Sequence, residues 1–597
     1  MKNIFQKLTC LIITFLVLGC SQTGDVSSSS SSSSNLPSSG QQGNSGWLYD
    51  ENNHWHGSGD NITDLGAHDF GDWEDVNPSS LKGAEQYAFT NPKKKTCKTC
   101  GYYVLEGMNI LPEIHFTSDV ASEIDFATKA KKDDIDRPEV SGKISITNCP
   151  DSFKKEDFPA TMKVRGNQTA NWAKKAFRIK FGSKTNCLGL NGGKKFKKWV
   201  LFADAKDTTL IRSAAGLYIA KAICKDQDNI WVSDFTPVSV YLNDKYWGYY
   251  YLAEQKEVKE GRVRLEEPDD GYQGTDIGYC FELDYYASDE PKKSDGGDPT
   301  FKVTYSPDFT RNDYRTESMA VADYGAIKTY TLLSDITDST AGANKPINEN
   351  NSAQVAFIKK RVESLYTVLY NAAKNNKAKT IRNNEVVDST DSIEKVIKDN
   401  FDVNTWVDGF ILNAFQCAPD LGYSSFYMSF DNTPNGEKKL RYDVPWDFDS
   451  NFGNRSGFIS EADSASSGGG GMWGGGGGGT YDPYYMDRTS NMWISLFSRL
   501  DFFIDMVKVR WNQIREEQAF EGFFHMMRTY FRDYDLEIQR NFYRWPTNDA
   551  TYELRSPFKD PKQYKQAQEE TINWCSKRVN YLEKRWGTGR ADVNTNA

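Results

Sequence analysis

The segment Leu440-Arg441-Tyr442-Asp443-Val444-Pro445-Trp446-Asp447-Phe448-Asp449-Ser450-Asn451-Phe452-Gly453 admits few local structures. Alternation at Leu440, Tyr442 and Val444 predicts a strand, and Pro445 ends it because proline has no N–H to give the ladder. The carboxylates of Asp447 and Asp449 then emerge at the strand's exit. In extended backbone, side chains two apart share a face, and two like charges held that close call for Mg²⁺, Mn²⁺ or protonation. A metal-carboxylate site is therefore expected. Two solvated turn aspartates are the plain alternative for an isolated pair, and the surrounding sequence argues against it.

Upstream, an apolar helical run from Trp406 to Phe415 leads into Asn413-Ala414-Phe415-Gln416-Cys417-Ala418-Pro419-Asp420, followed by the aromatic strand Phe426-Tyr427-Met428. A helix, a loop acid, a strand and a second acid form an order similar to the catalytic and metal-binding loops of protein kinases. In the first half, residues 162–181 read as a strand, a Gly166-Asn167 turn and a second strand carrying Lys174, Lys175, Arg178 and Lys180. Further on come Ala203-Asp204-Ala205-Lys206-Asp207 with Leu210-Ile211-Arg212, then the tyrosine-rich run from Val238 to Glu254. These segments, in this order, resemble the CotH family of atypical secreted protein kinases, with matches spanning roughly residues 112 to 455 and a helical tail to about 590.

That resemblance implies an α+β, atypical protein-kinase-like two-lobed fold. A β-rich N-lobe is expected over 112–300 and a helical C-lobe over 301–590, with ATP and Mg²⁺ or Mn²⁺ between them. It implies Asp420 as the residue orienting the acceptor hydroxyl and Asp447, assisted by Asp449, as the metal ligand. Lys175 or Lys180 would contact phosphates, with Arg165 able to serve in their place, and Glu254 would ion-pair with that lysine. Trp446 would wall the cleft, held by Pro445. One departure from the family pattern stands out. Family members usually carry Asn just before the aromatic strand, where this chain has Ser424-Ser425.

The N-terminus bears on compartment. Lys2 and Lys7 precede an apolar stretch from Leu8 to Leu18, and Val17-Leu18-Gly19-Cys20 matches a bacterial lipobox, so residues 1–20 read as a lipoprotein signal and Cys20 as the lipidated residue. The expected location is the outer membrane or cell surface, held through that lipid anchor. Residues 21–46, with serine unbroken from Ser27 to Ser34, read as a tether unable to bury enough apolar surface to fold. A Gly-rich insertion at 463–480 lacks the Lys-Ser/Thr of a phosphate-binding loop.

Residues 47–111 form an accessory segment holding His54, His56, His68, Cys97 and Cys100. A zinc site from His54, His56 and the two cysteines lacks the paired spacing of a finger or ribbon; with no following helix in a βαβ context, Cys97-Lys98-Thr99-Cys100 reads as a structural bridge rather than a thioredoxin-like motif, the disulfide pairing being left open. With 72 basic and 82 acidic residues the net charge is −10, which disfavours a nucleic-acid partner. The reading is a kinase acting on Ser/Thr hydroxyls of an extracytoplasmic protein. The rival is a noncatalytic surface lipoprotein that binds polysaccharide or a protein through aromatic faces such as Trp47, Trp55 and Trp73.

Overall fold

The computed structural model describes residues 41–42, 46–49, 53–57, 61–77, 80, 89–109, 111–118, 127, 137–166, 168–266, 268–269, 272–284, 300–305, 327–333, 352–418, 421–422, 424–454, 491–545 and 561–596. Cys20, the serine run Ser27–Ser34, Asp420 and the Gly-rich insertion lie outside the described residues, whereas Gln41–Gln42, expected to belong to the unfolded tether, pairs as a short strand with Leu48–Tyr49. Within them the chain is α+β, as expected.

Seven strands close into a barrel: β1 (Glu113–Thr117), β2 (Val140–Thr147), β3 (Lys155–Arg165), β4 (Ala176–Thr185), β5 (Phe196–Phe202), β6 (Phe235–Leu242) and β7 (Lys245–Glu254). The order is β3-β4-β5-β7-β6-β1-β2, antiparallel throughout except for the parallel β1/β6 pair. A barrel this small has an interior that side chains fill. Met162, Val164, Phe177, Ile179, Trp199, Leu201, Tyr250 and Leu252 are among those that fill it.

The tyrosine-rich strand shows why its sequence does not alternate. Tyr250 and Leu252 point into the barrel, while Tyr249, Tyr251 and Ala253 belong to the second core outside it. A strand buried on both faces needs apolar or hydrogen-bonded residues at every position. The hydroxyls are accordingly matched: Tyr249 donates to Tyr251 at 3.0 Å, and Tyr251 donates to the Leu210 carbonyl at 2.7 Å.

That second core lies between a five-stranded sheet and the helices. The sheet takes β8 (Gly278–Leu283), β9 (Thr300–Thr304), β10 (Ile327–Leu332), β13 (Phe426–Asp431) and β14 (Leu440–Asp443) in the order β9-β10-β8-β13-β14. A separate hairpin is formed by β11 (Lys379–Arg382) and β12 (Glu385–Asp388). The helices are α1 (Arg212–Cys224), α2 (Ser352–Asn375), α3 (Ile393–Asn400), α4 (Val403–Gln416), α5 (Met492–Phe497), α6 (Asp501–Glu516), α7 (Ala519–Asp533), α8 (Asp535–Arg544) and α9 (Tyr564–Trp586). Helix α8 ties the helical part to the barrel wall, with Asn541 Oδ1 accepting from the Tyr249 N–H at 3.2 Å. Just beyond it, Trp545 donates to the Trp247 carbonyl at 2.7 Å.

No disulfide joins the eight described cysteines, and the structural bridge expected of the Cys97-to-Cys100 segment is not formed. Cys187, Cys224, Cys280 and Cys575 are each buried in a core.

Candidate functional site

Construction of the site starts at the N-terminus of α1. The first N–H groups of a helix lack partners within it, and aspartates are suited to supply them. Asp207 accepts from the backbone N–H of Ile211 and Arg212 at 3.0 and 2.9 Å, and Asp204 accepts from that of Ser213 at 3.0 Å. Arg212, itself buried, pairs with Asp207 and donates to the carbonyls of Asn451 and Phe452 at 3.1 and 3.3 Å and to Thr571 Oγ1 at 2.9 Å. One guanidinium thus fastens the end of the acidic loop to α1 and α9.

The acidic loop is strained. Val444, Asp447 and Phe452 have φ of 48°, 63° and 52°, and a β-branched valine in that region is rare. Asp443 holds the entry: its Oδ1 accepts from the N–H of Trp231 and Val444 at 3.0 and 2.8 Å, and its Oδ2 from Ser429 Oγ at 2.7 Å. Such strain, about 1–3 kcal/mol per residue, persists only where surrounding contacts hold it and concentrates at functional sites. It also corrects the reasoning that grouped the two acids. Asp447 is left-handed rather than extended, so strand periodicity does not bring it beside Asp449.

Phe448 anchors the loop against α1, where a β-carbon added to Gly216 would fall 2.0 Å from Phe448 Cγ. Ordinarily Gly→Ala inside a helix gains up to about 1 kcal/mol. Here Gly216→Ala is expected instead to destabilise by about 1–3 kcal/mol through overpacking, measured by urea unfolding.

Around this loop the fold gathers charge at the junction of the barrel and the second sheet. Arg165, at the end of β3, sits over the rings of Phe202 and Trp446 at 5.4 and 5.7 Å. Burial lowers its pKa from the ordinary value, while Asp447 and Asp449 pull it back up. Lys206 Nζ is 2.8 Å from Asp449 Oδ1. Burial, opposed by Lys206, pushes the Asp449 carboxyl up to about 7, with Asp447 adding to the rise. Asp447 is exposed and accepts from Ser425 Oγ at 3.2 Å. Trp446 is 8% exposed and stacks on Trp231 at 6.4 Å, which makes it the apolar wall beside these charges.

Lys256, two residues beyond β7, completes the basic group. Its Nζ is 3.3 Å from Glu282 Oε2, 4.1 Å from the Tyr427 ring centre and 5.6 Å from that of Trp446. Glu282 Oε1 accepts from the Ser425 N–H at 3.0 Å, and Tyr427 Oη donates to the other oxygen. Burial pushes the Glu282 carboxyl from 4.5 up to about 7. A raised folded value means that its contribution to stability is fully present below the unfolded value and is lost as pH rises through about 7. Glu282→Gln is expected to flatten that part of the stability profile, measured as denaturant midpoints across the window.

The fold therefore brings together Arg165, Trp446, Asp447 and Asp449 from the sequence expectation. It separates three others. Lys175 is buried with its Nζ donating to the carbonyls of Ala170 and Trp172 at 2.7 and 2.8 Å, a structural ammonium turned into the turn that follows β3. Lys180 is exposed on the outer face of β4, because the inner face belongs to Phe177, Ile179 and Phe181. Glu254 pairs with Arg262, not with a lysine of the hairpin. It lines an open pocket of about 350 Å³ with Asn191, Lys194, Lys221 and Arg262. Asp420 follows α4, whose C-cap Cys417 is left-handed, and lies outside the described residues.

Lys206, Lys256 and Glu282 were not assigned to the site from sequence, and Ser425 was noted there only as a departure from the family pattern. A lone glutamate inside the apolar run Gly278-Tyr279-Cys280-Phe281-Glu282-Leu283 was the available signal, since a carboxylate in a buried strand needs a partner.

Two carboxylates of unequal exposure beside Arg165 and Lys206, with Lys256 over the adjoining Trp446 ring, suit a hard divalent cation together with a polyanion. The class of protein so defined is α+β, with its charged site where the barrel meets the second sheet. Residues 162–582 match the family model described as CotH kinase protein, and the chain belongs to that family. The match begins within β3, ends within α9 and includes every residue of the charged group. No curated protein matches the chain.

Proposed function

We propose that this chain is an atypical protein kinase that transfers the γ-phosphate of ATP to Ser/Thr hydroxyls of an extracytoplasmic protein, dependent on Mg²⁺ or Mn²⁺. The observation that carries the reading is the gathering of Arg165 and Lys206 about Asp447 and Asp449, with Arg165 and Lys256 both set over the Trp446 ring. Phosphoryl transfer needs mainly positioning and charge. Asp447 and Asp449 would hold the cation, which when bound supplies neutralisation of phosphate charge. Arg165 and Lys256 would contact phosphate oxygens, and Lys206 holds Asp449 until a cation competes for it. Trp446 walls the nucleotide side, and Asp420 orients the acceptor hydroxyl. In this reading the barrel and the helical part act as the two lobes of a kinase. Cys20 anchors the chain in a bacterial membrane, outer membrane or cell surface.

A second reading is favoured by one observation. Ser425, standing where the family usually has Asn, gives its hydroxyl to Asp447. A degenerate kinase fold that binds a polysaccharide or protein partner without transfer would tolerate that. Its aromatic version loses one platform, since Trp55 is fully buried, while Trp73 remains 40% exposed. The deciding experiment is transfer of labelled γ-phosphate from ATP by the mature chain with Mg²⁺ or Mn²⁺ and with chelator. Incorporation only with metal supports the kinase, and its absence on generic and self substrates supports the binding module.

A further inference from the structure

Ahead of the barrel the chain builds two small sheets. One has strands Gln41–Gln42, Leu48–Tyr49, Asn53–His56 and Thr63–Ala67, and the other Glu74–Asp75, Phe89–Thr96 and Tyr103–Asn109. Among the described residues from 46 to 109, the buried side chains are His54, Trp55, Cys97 and Cys100. One tryptophan is too little apolar surface to hold so small a unit together, and units of this size are usually fastened by disulfides or metals. The other three buried side chains are all of metal-ligating type.

Their geometry is that of a closed metal site. One ligand atom from each of His54, His68, Cys97 and Cys100 lies within 4.8 Å of all the others. Cys97 Sγ is 3.7 Å from His54 Nδ1, and Cys100 Sγ is 3.5 Å from His68 Nδ1. A tetrahedral Zn²⁺ with bonds of about 2.3 Å to sulfur and about 2.0–2.1 Å to nitrogen has sulfur-to-nitrogen edges of about 3.5–3.6 Å. The turn that presents the sulfurs is built for it. The Gly101 N–H donates to the Cys97 carbonyl at 3.0 Å, Gly101 has φ of +80°, and the Tyr102 N–H donates to Cys100 Sγ at 3.4 Å. The His68 ring stacks on Tyr102 at 4.5 Å, and the His54 ring meets the edge of Trp47 at 4.8 Å.

We propose that His54, His68, Cys97 and Cys100 form a structural Zn²⁺ site that staples the two N-terminal sheets to each other. Four protein ligands leave no open position, which separates a structural from a catalytic zinc. Two thiolates neutralise the dication, so the buried site carries no net charge, and tetrahedral two-sulfur, two-nitrogen ligation selects Zn²⁺. His56, the histidine weighed with His54 from sequence, is turned away: its Nδ1 is 3.1 Å from the Gly46 carbonyl oxygen. Strand alternation separates His54 from His56, and His68 arrives from the far end of the hairpin. The site also lies outside the residues matching the family model.

The test is elemental analysis of the full mature chain, purified without nickel affinity. About one zinc per chain is expected, retained in His56→Ala and lost in the double variant Cys97→Ser/Cys100→Ser. Because that variant could fail to fold, His68→Cys gives a second reading. With Co²⁺ in place of zinc, the parent should show tetrahedral visible absorption, and His68→Cys should keep the metal and gain sulfur-to-cobalt charge transfer. A metal-free parent whose mass shows two hydrogens lost to a Cys97–Cys100 disulfide would overturn the proposal. So would zinc retained by the double cysteine variant, or a cobalt spectrum that His68→Cys leaves unchanged.

Discussion

Asp447→Asn is expected to lower metal-dependent phosphoryl transfer by at least about 10²–10³-fold, the loss typical of removing one preorganised electrostatic contact from a transition state. The substitution isolates charge from structure for a local reason. Asp447 has φ of 63°, and asparagine tolerates that left-handed conformation as aspartate does, whereas alanine would add strain. Its side-chain oxygen can still accept from Ser425 Oγ. Stability should therefore stay close to the parent's while Mn²⁺ affinity and transfer fall together. Initial rates of labelled phosphate incorporation and Mn²⁺ titration measure the two, and transfer at parental rate would remove Asp447 from the site.

Arg212→Met should destabilise the fold by about 3–5 kcal/mol, the range for breaking a buried ion pair on one side. Its partner Asp207 is 1% exposed and keeps only its N–H and hydroxyl donors, while the carbonyls of Asn451 and Phe452 lose theirs. Because those carbonyls end the acidic loop, metal affinity should also drop in the fraction that stays folded. Arg212→Lys is expected to restore part of the stability, since one ammonium cannot reach a carboxylate, two carbonyls and a threonine hydroxyl at once. Chemical denaturation of both variants measures this, and a methionine variant as stable as the parent would show that Asp207 is satisfied by α1 alone.

Arg212 also illustrates what a sequence can and cannot reveal. The cluster from Asp204 to Arg212 is visible as a group of charges, but its division of labour is not. Asp204 and Asp207 serve the helix N-terminus, Arg212 serves the loop more than 200 residues on, and only Lys206 reaches an acid of the site. Lys175 shows the opposite case. Beside Lys174 and Arg178 it reads as one of a row of phosphate-binding cations, yet the turn after β3 folds back over it and its ammonium is used on backbone carbonyls. Lys256 is one of several charges in the run from Glu254 to Glu260, and its meeting with Glu282 requires the segment that leaves β7 to reach β8, which pairs with β13.

Local chemistry was enough to determine the elements: a strand from Leu440 that stops before Pro445, the helix through Phe415, the hairpin across residues 162–181, and the acids that follow the last strand. Each rests on periodicity or on a residue that forbids continuation, and both act over a few residues. Barrel closure, the left-handed turn at Asp447, the choice of Arg165 over Lys175 and Lys180, and the pairing of His68 rather than His56 with the Cys97-to-Cys100 turn were decided only by tertiary structure. In each case the deciding contact joins residues distant in the chain or depends on which face of a strand is buried. A charged or ligating side chain acquires its role from what packs against it, and spacing along the chain does not carry that information.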